Sequence, residues 1–373
     1  MAARVPALGV IPKTLRAEQL KRLSFLCGLP VGGRKEELIA RLSAAAALPP
    51  LPKPRADPVV LSIDLGLKNL AFSLLTPVAS SSRKTSAKSK KRSGAETGPL
   101  SFLSTSPPLI TLHAWQRLSL LEGPASTPGQ NGDELALDVD TTTGPFAPAA
   151  LAKTTNAFLQ ETVLKLNPLP THILIERQRW RSGGAAAIQE WTVRVNTLEA
   201  MLHASLRTLR DVGAWKGDVM SIRPGSVGQL FLGAVNPDTG DAVQNQEDEV
   251  DASTSKPGIK RTTGRKTSAE AKKLKIDLLS SWLGQGDLVV RPGNAEAGHM
   301  LDAYRDASTG PKQRRSKRAA GESELEAKPP ALDRKLDDLT DSLMQGMAWL
   351  RWRENVALLR LENGAEQLLG VKF

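Results

Sequence analysis

An α/β fold, with a mixed sheet flanked by helices, is what this 373-residue sequence predicts, and three observations point to it. Short apolar runs of strand composition alternate with longer segments of helical periodicity. Two of those runs, Val59 to Gly66 and His172 to Arg177, are almost continuously apolar, as expected of central strands covered on both faces. Each holds an acid, Asp64 and Glu176, and a third acidic group, Asp337, Asp338 and Asp341, lies at the start of the last long helical segment. A carboxylate in an apolar setting is costly to bury unless it is paired or bound to a cation, so three such places imply one shared cation site.

Composition narrows the possibilities. Apolar residues make up 40% of the chain, enough for a full core, and the net charge of +11 favours a polyanionic partner, nucleic acid before any other. Cys27 is the only cysteine, which excludes an intramolecular disulfide and a cysteine-based zinc site. No apolar run approaches the roughly 20 residues of a membrane span, so no membrane association is expected. Arg4, Lys13 and Arg16 without an acid in the first 17 residues give a presequence-like bias.

Taken in order, Thr14 reads as the N-cap of a helix carrying Leu20, Leu23 and Leu26 on one face. A turn at Gly28 to Gly33 leads to a second helix from Arg34 to Ala44, burying Leu38, Ile39 and Leu42. This helix, Leu-Pro-Val turn and second helix resembles a SAP motif, a small DNA-binding module. The resemblance implies that Arg34 and Lys35, with Lys21, Arg22 and Arg41, face phosphates. Residues 1–46 are then a helical module, and the proline-dense stretch at 47–57 a linker. The main domain spans 58–356, with disordered insertions expected near 80–98, 236–265 and 310–330, and a tail at 357–373. Its strands are expected at Val59 to Leu65, Leu70 to Leu75, Ile110 to Leu118, Thr171 to Glu176 and Val219 to Arg223. Its helices are expected at Pro148 to Leu166, Ala185 to Leu209, Ser268 to Leu283 and Lys335 to Trp352. The seam of Ile188, Trp191, Val195, Leu198, Leu202, Leu206 and Leu209 reads as core, with a dimer seam as the alternative.

Three strands, then a helix, strand, helix, strand and helix, is the order of an RNase H-like domain. The segments Ser62 to Ala71, Ile175 to Ser182 and Lys335 to Leu343 resemble the fungal mitochondrial Holliday junction resolvases, which are RNase H-like relatives of the bacterial junction resolvase. That resemblance implies an endonuclease resolving four-way DNA junctions as a homodimer, by paired symmetric nicks that leave 5′-phosphates. It also implies mitochondrial localisation, although basic clusters at Lys88 to Arg92 and Lys312 to Arg318 would suit a nuclear protein.

The residues support a common site independently. Carboxylates ending neighbouring parallel strands can point the same way, and on a helix Asp341 can share a face with either Asp337 or Asp338. Hard oxygen ligands suit Mg²⁺, with Mn²⁺ able to substitute, and two ions would clamp the attacking and leaving oxygens at phosphorus. Asp64, Glu176, Asp337, Asp338 and Asp341 are therefore the expected catalytic and metal-binding residues. Lys68, Asn69 and the segment Arg177, Gln178, Arg179, Trp180, Arg181 and Ser182 are the expected DNA contacts, with Trp180 placed to stack on an exposed base. Two other classes start from the same features. An actin-like or sugar-kinase ATPase would need further phosphate and adenosine loops that the sequence does not display, so no nucleotide cofactor is expected. A purely architectural SAP-bearing protein would have no use for acids at all three places.

Overall fold

The computed structural model describes residues 11–47, 57–78, 105–121, 144–178, 189–235, 268–285, 289–308 and 335–371. The insertions expected near 80–98, 236–265 and 310–330 lie outside the described residues, as do Arg179, Trp180, Arg181, Ser182 and Ile188.

Six strands form one sheet: β1 (Val60–Asp64), β2 (Leu70–Pro77), β3 (Ile110–Leu118), β4 (His172–Glu176), β5 (Asp218–Ile222) and β6 (Val290–Pro292). Their order is β5-β4-β1-β2-β3-β6. The β1, β2 and β3 strands form an antiparallel meander, β4 and β5 run parallel to β1, and β6 runs parallel to β3. The first five strands in this order are the RNase H-like sheet that the sequence predicts. The three-residue β6 is an addition at the β3 edge, too short to leave a periodic signal.

Alternation along β1 and β4 assigns the two faces. Leu61, Ile63, Ile173 and Ile175 pack in one core with Leu151, Phe158, Val195, Leu198, Leu202 and Leu206. These come from α3 (Pro148–Ala157), its continuation, and α4 (Glu190–Asp211). The helix expected from Pro148 to Leu166 is not uniform, because after Ala157 it passes through a π turn at Phe158–Thr162 and a 3₁₀ turn at Val163–Lys165. The α4 seam from Val195 to Leu206 is consumed inside the chain, so the alternative of a dimer interface along it is excluded.

The opposite face carries Val60, Ala71, Leu75, Trp115 and Leu174, and packs on α8 (Asp337–Leu359). This helix is buried on nearly all sides, because the sheet covers one side and other helices cover the rest. Those helices include α1 (Ala17–Leu26), α2 (Lys35–Ala47), α5 (Pro224–Val235), α6 (Ser268–Gly284) and α9 (Gly364–Leu369), while α7 (Ala295–Ser308) packs on β3 and α6. Pro224, expected only to end a strand, is also the first residue of α5, where its lost N–H costs nothing. Nor is the C-terminus a simple tail: α8 runs on to Leu359, and α9 buries Ala365 and Leu368.

The α1–α2 hairpin shares this core. Leu20, Leu23, Leu26, Leu38 and Leu42 belong to the same cluster as the α8 side chains, and Asn355 Nδ2 donates to Leu26 O at 2.6 Å. Gly28, at φ 69°, lies so close to Trp352 that a Cβ would meet its ring at 2.7 Å. Helix α1 begins at Ala17 rather than after Thr14. Its cap is Arg16, whose N–H donates to Gln19 Oε1 at 2.8 Å, and Thr14 falls in the preceding turn. Arg41 is directed at the Pro30 and Gly32 carbonyls (2.5 and 3.0 Å), so it braces the turn. Arg34 is exposed and Lys35 half-buried at the start of α2.

Candidate active site

The sheet register brings the first two carboxylates together. Ile63 stands opposite Ile175 across the parallel β1–β4 pair, so the next residues, Asp64 and Glu176, leave the strands side by side. By the two-residue alternation they share the face of Ser62 and Leu174, which is the face covered by α8.

Helix α8 is fixed over that face by one polar tie to each of three strands. Gln345 Nε2 donates to Ser62 Oγ at 3.1 Å and to Ile63 O at 3.2 Å. Ser73 Oγ donates to Ser342 O at 3.1 Å, and Trp115 Nε1 donates to Leu339 O at 3.0 Å. All are buried, so losing one would leave an unsatisfied polar group. Gly346 permits the close approach, since a Cβ there would stand 2.6 Å from Leu75 Cδ2 and 3.2 Å from Ser62 Cβ. Tyr304 on α7 holds the other side through Thr340 Oγ1 at 2.6 Å. These ties set the rotation and height of the first turn of α8, and with them the positions of its three aspartates.

Those aspartates do not face the same way. Asp64 is held well above the usual carboxylate range, first by burial, then by its hydrogen bond to Glu176 and the charges of Glu176, Asp341 and Asp338. Asp338 is also raised, by burial and then by the charge of Asp337. Asp337 turns to α6, where Lys272 Nζ donates to its Oδ2 at 2.7 Å. Burial pushes Asp337 up, but the Lys272 hydrogen bond and charge outweigh it and hold the group below its ordinary value. Asp341 is hydrogen-bonded by Lys275, one helical turn beyond Lys272 on α6. Asp64 is thus in hydrogen-bonding contact with Glu176 and within reach of the charges of Asp338 and Asp341, while Asp337 and Asp341 pair with Lys272 and Lys275 on α6.

The DNA contacts expected from sequence divide likewise. Lys68 is exposed in the loop after β1. Asn69 beside it accepts from Lys335 Nζ at 2.9 Å when its amide is oriented to satisfy its neighbours. Lys335 Nζ also stands 3.9 Å from Asp338 Oδ2. Arg177 is exposed and Gln178 half-buried directly after Glu176. Lys272, Lys275 and Lys335 are not among the residues that the sequence singles out. The run Lys272-Lys273-Leu274-Lys275 looks like any solvated helix face, and only the packing of α6 on α8 shows that two of these lysines meet acids.

Among the described residues, no three acidic, histidine or cysteine side chains stand close enough to enclose a single ion. The donor chemistry nonetheless suits a hard divalent cation: Asp64, Glu176, Asp338 and Asp341 are all carboxylates, and Asp338 Oδ2 is buried without a hydrogen-bond partner. Two carboxylates in hydrogen-bonding contact must share a proton or a cation, since both cannot stay charged at that distance unaided.

A family model described as mitochondrial resolvase Ydc2 / RNA splicing MRS1 matches residues 60–359. The chain belongs to this family. The match to the Ydc2 family begins with β1 and ends with α8, so it contains all five acids and leaves α1 and α2 outside. Mitochondrial cruciform cutting endonuclease 1 of Schizosaccharomyces pombe is 32% identical over 191 residues, covering 51% of this chain and 55% of that protein. The alignment therefore spans about half the length of that curated relative. Among solved structures, the yeast mitochondrial Holliday junction resolvase Ydc2 aligns over 95% of this chain and 99% of its own, with a TM-score of 0.49 and 22% identity. The Fowlpox virus resolvase, solved with Holliday junction DNA, covers 78% and 96%, with a TM-score of 0.30 and 10% identity. The fold assignment rests on the strand order and not on these two likenesses.

Proposed function

We propose that this protein is a metal-dependent endonuclease that binds four-way DNA junctions and cuts them by paired symmetric nicks in mitochondrial DNA. The observation that carries the reading is the convergence of Glu176, Asp338 and Asp341 on Asp64, inside the segment matched by a resolvase family. Mitochondrial localisation agrees with the names of the family and of its fission-yeast relative.

In this reading Asp64, Glu176, Asp338 and Asp341 are the metal ligands. A divalent cation bound there, Mg²⁺ with Mn²⁺ as a substitute and two ions in the full site, would supply Lewis acidity at phosphorus and a water acidic enough to attack near neutral pH. The carboxylates would hold the negative charge that retains the ion, and Asp64, held well above the usual carboxylate range without one, would ionise once that charge is matched. Lys335, which bonds Asn69 and stands 3.9 Å from Asp338 Oδ2, and the exposed Lys68 set positive charge beside the acids, where a phosphate would need it. Cleavage at the 3′ oxygen leaves a 5′-phosphate and a 3′-hydroxyl that can be ligated. Symmetric cutting calls for two sites related by a two-fold axis, and hence a homodimer whose interface lies away from the Val195–Leu206 seam. Arg34 and Lys35 on the SAP-like hairpin, together with Arg177, Gln178 and the 179–182 segment, extend the DNA contact.

The family description also names an RNA-splicing protein, which would fit nucleic-acid binding without cleavage. The acids within electrostatic reach of Asp64 favour cleavage, because binding a polyanion gains nothing from them. Comparing a synthetic four-way junction with a linear duplex of the same sequence tests the reading. Mg²⁺-dependent paired nicks on the junction are expected, with far slower cutting of the duplex. Tight junction binding without any cutting would favour the splicing-type alternative.

A further inference from the structure

The carboxyl edge of the sheet carries a cleft of about 370 Å³ for which the acidic cluster alone has no use. Its walls come from the residues just beyond three parallel strands: Leu65 after β1, Arg177 and Gln178 after β4, and Pro224 after β5. Open α/β sheets take ligands at this edge, and the volume suits a small ring system rather than a duplex. Glu176 also lines it, so whatever enters lies next to that acid.

Trp191, in the first turn of α4, also lines the cleft. The residue is 40% exposed, unusual for a tryptophan. It packs edge-to-face on Phe146, with centroids 6.0 Å apart, and Phe146 is in turn covered by the Arg194 guanidinium at 3.7 Å. On the same lining the Gln178 backbone is fixed, its N–H donating to Glu199 Oε2 at 3.1 Å, while its side-chain amide has no partner among the described residues. An exposed aromatic ring and an unspent amide lining one cleft, beside a phosphate-cutting site, are the chemistry that holds an unstacked base: one group for its face and one for its edge.

We propose that this cleft receives one unpaired nucleobase of the cut strand, adjacent to the scissile phosphate, with Trp191 stacking on it and the Gln178 amide reading its edge. This rests on the nuclease reading and adds to it a built-in source of sequence preference at the junction centre. Extruding a base is least costly where pairing is already broken, so the cleft would favour an opened junction over an intact duplex.

The test uses the full chain and junctions in which the nucleotide beside the mapped nick is intact, replaced by 2-aminopurine, or abasic. On the intact junction Trp191→Ala should cut about tenfold more slowly than wild type, and Trp191→Phe should recover most of the rate. On the abasic junction, where there is no base to stack, wild type and Trp191→Ala should cut at the same rate. Binding of wild type in Ca²⁺ should quench 2-aminopurine, and Trp191→Ala should not. An equal deficit on intact and abasic junctions, or a change of oligomeric state in Trp191→Ala, overturns the base site while leaving the nuclease reading in place. Quenching by a protein that never cuts would uphold the base site and overturn the nuclease, and neither quenching nor cutting would overturn both.

Discussion

Replacing Gly346 with alanine probes how α8 delivers its aspartates. The new methyl would lie 2.6 Å from Leu75 Cδ2 and 3.2 Å from Ser62 Cβ, whereas ordinary carbon contacts lie at about 3.5 to 4.0 Å. Leu75 is fully buried, so its methyl cannot swing into solvent, and about 1 Å must be found by moving the side chain, the helix or both. Alanine gains about 1 kcal/mol of helix propensity over glycine, and overpacking costs roughly 1–3 kcal/mol, for a net loss of about 0–2 kcal/mol. Activity should suffer more than stability. A helix lifted by a few tenths of an ångström carries Asp338 and Asp341 away from Asp64, and misplacements approaching 1 Å cost on the order of 100-fold in rate. Urea denaturation and single-turnover cleavage of a four-way junction on the same preparation measure both. A Gly346→Ala protein of wild-type stability and wild-type rate would refute the argument that close packing of α8 sets the site.

The same contacts predict three further outcomes. Without divalent cation, Asp64→Asn should raise the melting temperature at neutral pH. The folded state retains a proton that the unfolded chain releases near 3.8, so wild-type stability is highest below that value and falls as pH rises toward the raised folded value. The two proteins should converge at acid pH, and a parallel pair of pH profiles would contradict the assignment. Lys275→Met removes the cation paired with Asp341 at a position only 20% exposed on the lysine side, so it should lower metal-free stability by roughly 1–3 kcal/mol, with part of the loss restored by Mg²⁺ in a thermal melt. Leu23→Ala, in the N-terminal hairpin, should cost about 2–5 kcal/mol of global unfolding free energy, because Leu23 is fully buried in the core that also holds α8. A separate low-temperature transition with the main transition unmoved would mean that the hairpin folds on its own.

The strands that end in acids are legible because burial on both faces leaves an unbroken apolar run, and a charge at its end stands out: Asp64 and Glu176 need no structure to be found. The period of α8 is legible too, yet it leaves Asp337 and Asp338 equivalent, since either can share a face with Asp341. Their separation depends on the height and rotation of the helix over the sheet, which Gln345, Ser342, Leu339 and Gly346 determine through partners far away in sequence. Lys272 and Lys275 are invisible for the same reason, as their acids are more than 60 residues away. In the sequence Trp191 is one more apolar residue of the α4 seam. Its exposure is decided by the end of the seam, where α4 leaves the core at the carboxyl edge of the sheet.

The central claim is that Asp64, Glu176, Asp338 and Asp341 hold the cation while Asp337 serves the Lys272 pair. Thermal melts of the full chain over a Mn²⁺ titration test it most directly, because an ion that binds only the folded state raises the melting temperature by mass action. Wild type and Asp337→Asn should both show the shift, whereas Asp64→Asn, Glu176→Gln, Asp338→Asn and Asp341→Asn should each lose most of it. A full shift in Asp64→Asn, or a loss in Asp337→Asn as large as in the other four, would contradict the site.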